Sequence, residues 1–187
     1  MKRWYVTAMM FLGVVSVNAQ KVTNGSFSVL TNETAVSLCI DYTDSKIDRV
    51  PFDVFLEGES KWEEAYKEIS LKLVKEANRH GGGMKYLTKK TENYQLVFKV
   101  ITVDDDGETK GNLLLLDKDG NVIGAAGKFN VNGGRFGSQT NLMGDAAERL
   151  GKKIAQFIKM QIVSFYNREG VGRETMKPQM LMLNVYL

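Results

Sequence analysis

The sequence predicts an α+β domain in which two helices cover one face of a mostly antiparallel sheet, in the order β-α-β-β-β-α. Three observations predict it. Apolar residues alternate along several stretches, they recur at spacings of three and four along two others, and Asp/Gly turns separate the last three strands. With 187 residues, 43% of them apolar, the chain amounts to one domain.

Lys2 and Arg3 precede an uncharged run from Trp4 to Val17, followed by Asn18 and Ala19. A basic start, a short apolar run and a small residue before the cut predict a secretory signal peptide over residues 1–19. The run is too short for a comfortable membrane span. Cleavage leaves 168 residues from Gln20 and takes the net charge from +3 to +1, because Lys2 and Arg3 go and no acid goes with them. No basic surface for nucleic acid or anionic membrane is then expected. A chain of this size buries close to ~70% of its unfolded surface and needs no disulfides, and its one Cys could form none internally. Cys39 is also far from the cleavage point, so no lipid anchor is expected and the product is periplasmic or extracellular.

Along the remaining chain, Val36, Leu38, Ile40 and Tyr42 alternate with Ser37, Cys39, Asp41 and Thr43 and predict the first strand. Ser26 to Thr34, just before it, reads as strand or loose arm, and Asp44 to Glu59 as a connection. Ser60 and Glu63 have the spacing of a capping box. Trp62, Tyr66, Ile69, Leu73 and Ala77 then draw the buried stripe of a helix that Gly81-Gly82-Gly83 ends. Tyr94 to Val103 is apolar on both faces, as in a central strand, with Tyr94, Leu96, Phe98 and Val100 on one side and Val97, Ile101 and Val103 on the other. Turns at Asp104 to Glu108 and Asp117 to Gly120 lead into strands Gly111 to Leu116 and Asn121 to Val131, a three-stranded meander. Asp145 and Glu148 again have capping-box spacing, and Ala146, Leu150, Ile154, Phe157 or Ile158, and Ile162 trace a second helix to about Phe165. The domain is expected over 20–166, with a linker and apolar tail over 167–187.

Little in the sequence points to chemistry. His80, the only histidine, sits where a cation suits a helix dipole. Cys39 has no neighbouring positive charge to activate it and reads as a small, partly covered side chain. Asp117 to Asn121 begins like a calcium loop, but Ala126 stands where the bidentate Glu belongs; hairpin chemistry explains it, as solvated charge explains Asp104 to Asp106, although weak calcium binding stays open at both. Gly133-Gly134-Arg135-Phe136-Gly137 precedes a helix and is the better anion candidate, whereas Gly81 to Gly83 closes one. Asp41 and Asp44 are the least unsuitable carboxylate pair, and no GxSxG elbow or Cys/His signature occurs. No enzyme and no cofactor are expected.

Tyr94 to Val100, the strand pair around Leu113 to Asp117 and Asn121 to Ala125, and the helix Gly144 to Ala155 together resemble exported envelope domains of the TolB amino-terminal and CsgG type. The resemblance spans about Ser26 to Ile162. It implies a bacterial envelope setting and work by protein contact instead of catalysis. This chain differs in having no anchor Cys, no following propeller and a Met-rich tail.

The expectation is therefore a secreted or periplasmic binding or assembly module whose partner is an envelope protein or another copy of itself. Met180, Leu181, Met182, Leu183, Val185 and Tyr186 of the uncharged tail are its candidate contacts. The alternative is a carrier of a small apolar ligand, held in a cleft between helices and sheet lined by Trp62, Tyr66, Phe98 and Phe157.

Overall fold

A computed structural model describes residues 20–134 and 136–169. Residues 1–19, Arg135 and the tail from Gly170 onward lie outside the described residues, and with them the expectations placed there. The described elements are β1 (Lys21–Gly25), β2 (Ala35–Asp41), β3 (Lys46–Ile47), β4 (Val50–Pro51), α1 (Phe52–Gly58), α2 (Trp62–His80), β5 (Lys85–Leu87), β6 (Gln95–Val103), β7 (Thr109–Leu116), β8 (Val122–Val131) and α3 (Gln139–Arg168). The fold is α+β, with helices packed against a mostly antiparallel sheet, as the patterning predicts.

The sheet runs β1-β8-β7-β6-β2-β5. The meander β6-β7-β8 is antiparallel throughout, its turns closed by Gly107 at φ 72° and Gly120 at φ 86°. β2 instead pairs in parallel with both β6 and β5, because the long α2 returns the chain to the end from which β2 started. Hydrophobic alternation carries no sign of strand direction, so the order of elements alone did not reveal this mixture.

α2 and α3 lie side by side on one face and run the same way. At one end Tyr66 reaches the Ile40 carbonyl and Gln139 that of Asp104; at the other Asn78 holds Tyr86 and Tyr166 reaches Thr31. Between helices and sheet sits one core, in which Val36, Leu38 and Ile40 of β2 and Tyr42 just after it are all buried as their alternation requires. Phe27 and Leu30 of the segment before β2 are buried too, so Ser26 to Thr34 is neither strand nor loose arm but a short 3-10 turn, Ser28–Asn32, closing one end of the core.

Three expectations need correction. The Ser60 box does not form: α2 starts at Trp62 after Lys61 with no side-chain cap, and Glu63 and Glu64 complement the helix dipole in its first turn. The Asp145 box lies inside α3, which begins at Gln139 where the Ser138 hydroxyl accepts from the Asn141 amide, and Asp145 pairs across to Lys72 at 3.6 Å. The pattern missed the first turn because Gln139, Thr140 and Asn141 are polar. Val103 faces the core and not the side of Val97, since a bulge between Val100 and Thr102 shifts the alternation by one residue and leaves Ile101 outside.

The β7-β8 turn carries a testable charge. Asp117 accepts from the Asn121 side chain at 3.1 Å and from the Asp119 and Asn121 amides, each at 2.9 Å, which holds its carboxyl below the usual aspartate range. A lowered folded-state pKa gives stability that is complete above the unfolded value and is lost as pH falls through the folded one. Urea titrations from about pH 6 to pH 2 should therefore show less acid destabilisation in Asp117→Asn than in the parent; identical slopes would refute the assignment.

Candidate functional site

β5 covers β2 only at Ala35 to Ser37. Beyond it, among the described residues, no strand pairs with Leu38 to Asp41 on the side away from β6. Such an edge leaves backbone donors and acceptors without strand partners. Here one acceptor is taken by a side chain, the Tyr66 hydroxyl donating to the Ile40 carbonyl at 2.8 Å. Burial holds the Tyr66 phenol above its ordinary range, so the hydroxyl keeps its proton for that bond.

Along this edge runs a groove of about 390 Å³, lined by Cys39, Asp41, Thr43 and Val97 on one side and by Tyr42, Phe52, Trp62 and Tyr66 on the other. The second wall is a connected set of rings. Tyr42 stacks on Phe52 at 5.8 Å, Trp62 meets Phe52 edge-on at 5.1 Å and Tyr42 at 5.5 Å, and Tyr66 lies 5.8 Å beyond Trp62. Phe52 belongs to α1, a helix in the stretch expected to be a connection. Its spacing to Phe55 was the available sign, and seven residues were too few to read as a helix.

The structure divides the four residues expected to form one cleft. Trp62 and Tyr66 line the groove, whereas Phe98 and Phe157 have no exposed surface and fill the core. At the polar end of the groove Asp41 accepts from the Thr43 amide at 2.8 Å, and Asp44 pairs with Lys99, also at 2.8 Å. Asp41 is thus tied to its own strand end and Asp44 to the neighbouring strand β6. Gln95 donates to the Cys39 sulfur at 3.2 Å, and burial pushes that thiol up, so it is a poor nucleophile. His80 lies 3.5 Å from Glu76, which Arg79 also holds.

A second depression, about 720 Å³ and polar, opens where the β6-β7 turn meets the loop before α3. Asp104 accepts from the Glu108 amide at 2.7 Å, Glu108 pairs with Lys110 and Asn130, each at 2.6 Å, and Arg149 donates to the carbonyls of Asn132 and Gly133. Burial raises the Asp104 carboxyl, while Lys110 lowers that of Glu108. These bonds brace the turn against β8 and fix the Asn132-Gly133 loop to α3. Phe136 stands out from them 90% exposed, and Gly133 and Gly134, from the expected anion loop, line the floor. Among the described residues no group of three or more His, Cys, Asp or Glu side chains could hold a metal, and no helix is long and apolar enough to cross a membrane.

No protein-family model matches the chain, and no curated protein matches it. Among solved structures it is similar to the PelC dodecamer from Paraburkholderia phytofirmans, with 11% identity over 73% of this chain and 96% of that one, at a TM-score of 0.37. It is also similar to an uncharacterized protein, with 13% identity over 66% of this chain and 89% of that one, at a TM-score of 0.39.

Proposed function

We propose that the protein is an exported, non-enzymatic binding or assembly module of the bacterial cell envelope, and that it holds an extended segment of a protein partner along the open edge of β2. The observation that carries this reading is the coincidence of an unpaired strand edge with an aromatic groove beside it. Backbone pairing to an edge supplies affinity without sequence demands, and a neighbouring apolar pocket supplies selection. The leader expected over residues 1–19 and the sequence resemblance of α3 and the meander to envelope domains of the TolB and CsgG type support the setting. A small apolar ligand is the second reading, favoured by a groove volume within the roughly 300–1,000 Å³ of ligand sites.

A photo-crosslinking residue at Thr43 in living cells tests both, with one at Lys118 on the distant hairpin as control. A discrete protein adduct from position 43 alone, weakened by Trp62→Ala, is the expected result. A lipid-sized molecule retained by the purified protein, without that adduct, would favour the carrier, and equal adducts from both positions would remove the groove from consideration.

A further inference from the structure

Both long helices lie on one face of the sheet, and its other face is uncovered among the described residues. The register lines up two rows there. Leu87, Ser37, Gln95, Leu116 and Val122 form the first, and Cys39, Val97, Leu114 and Ala125 the second. Neither contains a charge. Leu87 is 38% and Val122 50% exposed, Val97, Leu114 and Leu116 are half-buried, and Ser37 alone in the two rows is buried. Asp41, Lys99 and Asn112 bound the patch on one side. A contiguous apolar surface rimmed by polar groups calls for a cover.

We infer that the cover is the chain's own apolar segment Met180 to Leu187, laid across these two rows. The path of α3 supports this occupant. Its 30 residues span about 45 Å, whereas the nine of β6 span about 30 Å, so a helix that starts level with Asp104 runs past the far end of the sheet. Tyr166 touches Thr31, just ahead of β2, so the chain leaves α3 at the end where β2 and β6 begin and β7 finishes. The row from Leu87 to Val122 lies at that same end.

Residues 170–179 can span about 33 Å when extended, enough to round the end of the sheet, and the eight uncharged residues that follow can reach about 26 Å across it. Tethering favours the segment of the same chain, because a short linker holds it at an effective concentration of order millimolar. The second row shares Cys39 and Val97 with one wall of the groove, whereas Leu114 and Leu116, where the cover is read out, line no part of it.

Disulfide trapping on the full chain in a Cys39→Ser background tests it. Leu114→Cys and Leu116→Cys are each combined with Val185→Cys and oxidised across a range of protein concentrations. The expected product is an internally linked monomer whose yield does not depend on concentration. Linkage that appears only between chains, when the single variants are mixed, would assign the face to a second copy and overturn the inference. So would no linkage from either position in protein that remains folded. As a check without cysteines, deleting residues 180–187 should raise binding of an environment-sensitive dye several-fold; unchanged binding would count against the cover.

Discussion

Replacing Gly151 by Ala is expected to destabilise this protein, although helix propensity alone would credit the change with about 1 kcal/mol of stability. Gly151 sits mid-helix in α3 with the backbone of α2 directly against it. A methyl group there would lie 2.1 Å from the Leu73 carbonyl oxygen and 3.1 Å from the Ala77 amide nitrogen. Both neighbours are helix backbone, so neither can swing aside, and the two helices must separate along their contact. The cost should reach the upper end of overpacking, about 3 kcal/mol, and Gly151→Val should exceed it. Gly144, seven residues earlier on the same helix, is the internal control. A methyl group there meets the Lys72 ammonium end at 3.1 Å, which can move, so Gly144→Ala should be neutral or gain a few tenths of a kcal/mol. Urea unfolding of the two variants measures this, and equal midpoints would show that the close crossing is not what fixes the helix pair.

The same glycine shows where reading from sequence runs out. The stripe Leu150, Ile154, Phe157, Ile158 and Ile162 marks the buried face of α3, and the structure buries all five. Gly151 beside it reads only as a local cost, because nothing in a single sequence says that another backbone lies against it. Faces were legible for a similar reason: residue type reports burial position by position, and alternation placed β2 and the meander as spacings of three and four placed α2. It stopped being reliable at Ile101, where one inserted residue reversed the faces for Val103. Direction and edge status were not legible at all. Whether Leu38 to Asp41 has one neighbour or two depends on the three-residue β5 and on the parallel return through α2, both set by long-range pairing. The groove was half visible for that reason. Trp62 and Tyr66 follow from helical spacing, whereas their companions Tyr42 and Phe52 join them only because the strand edge is open.

Phe157→Ala is the substitution expected to cost most among the residues proposed from sequence as a ligand cleft, and the reason bears on which reading of the protein survives. Its ring meets Phe27 edge-on at 5.2 Å and Phe129 at 5.6 Å, and Phe129 meets Phe98 at 5.8 Å. This chain of rings ties the segment before β2, the sheet and α3 into one core, and neither Phe98 nor Phe157 has any exposed surface. Removing such a ring loses its transfer free energy and leaves a cavity that the neighbouring rings only partly fill, about 3–5 kcal/mol in total. Against a typical domain stability of about 5–15 kcal/mol, that brings the protein close to unfolding at ordinary temperature. Trp62→Ala, at the half-buried wall of the groove, should cost visibly less and instead reduce whatever the groove holds. A shift of the urea midpoint at Phe157 with an unchanged slope, alongside a small shift at Trp62, would separate core from site as the structure does. If Phe157→Ala were tolerated with less than about 1 kcal/mol lost, the ring would be filling a space that can stay open, and a ligand cavity between helices and sheet would again be the better reading.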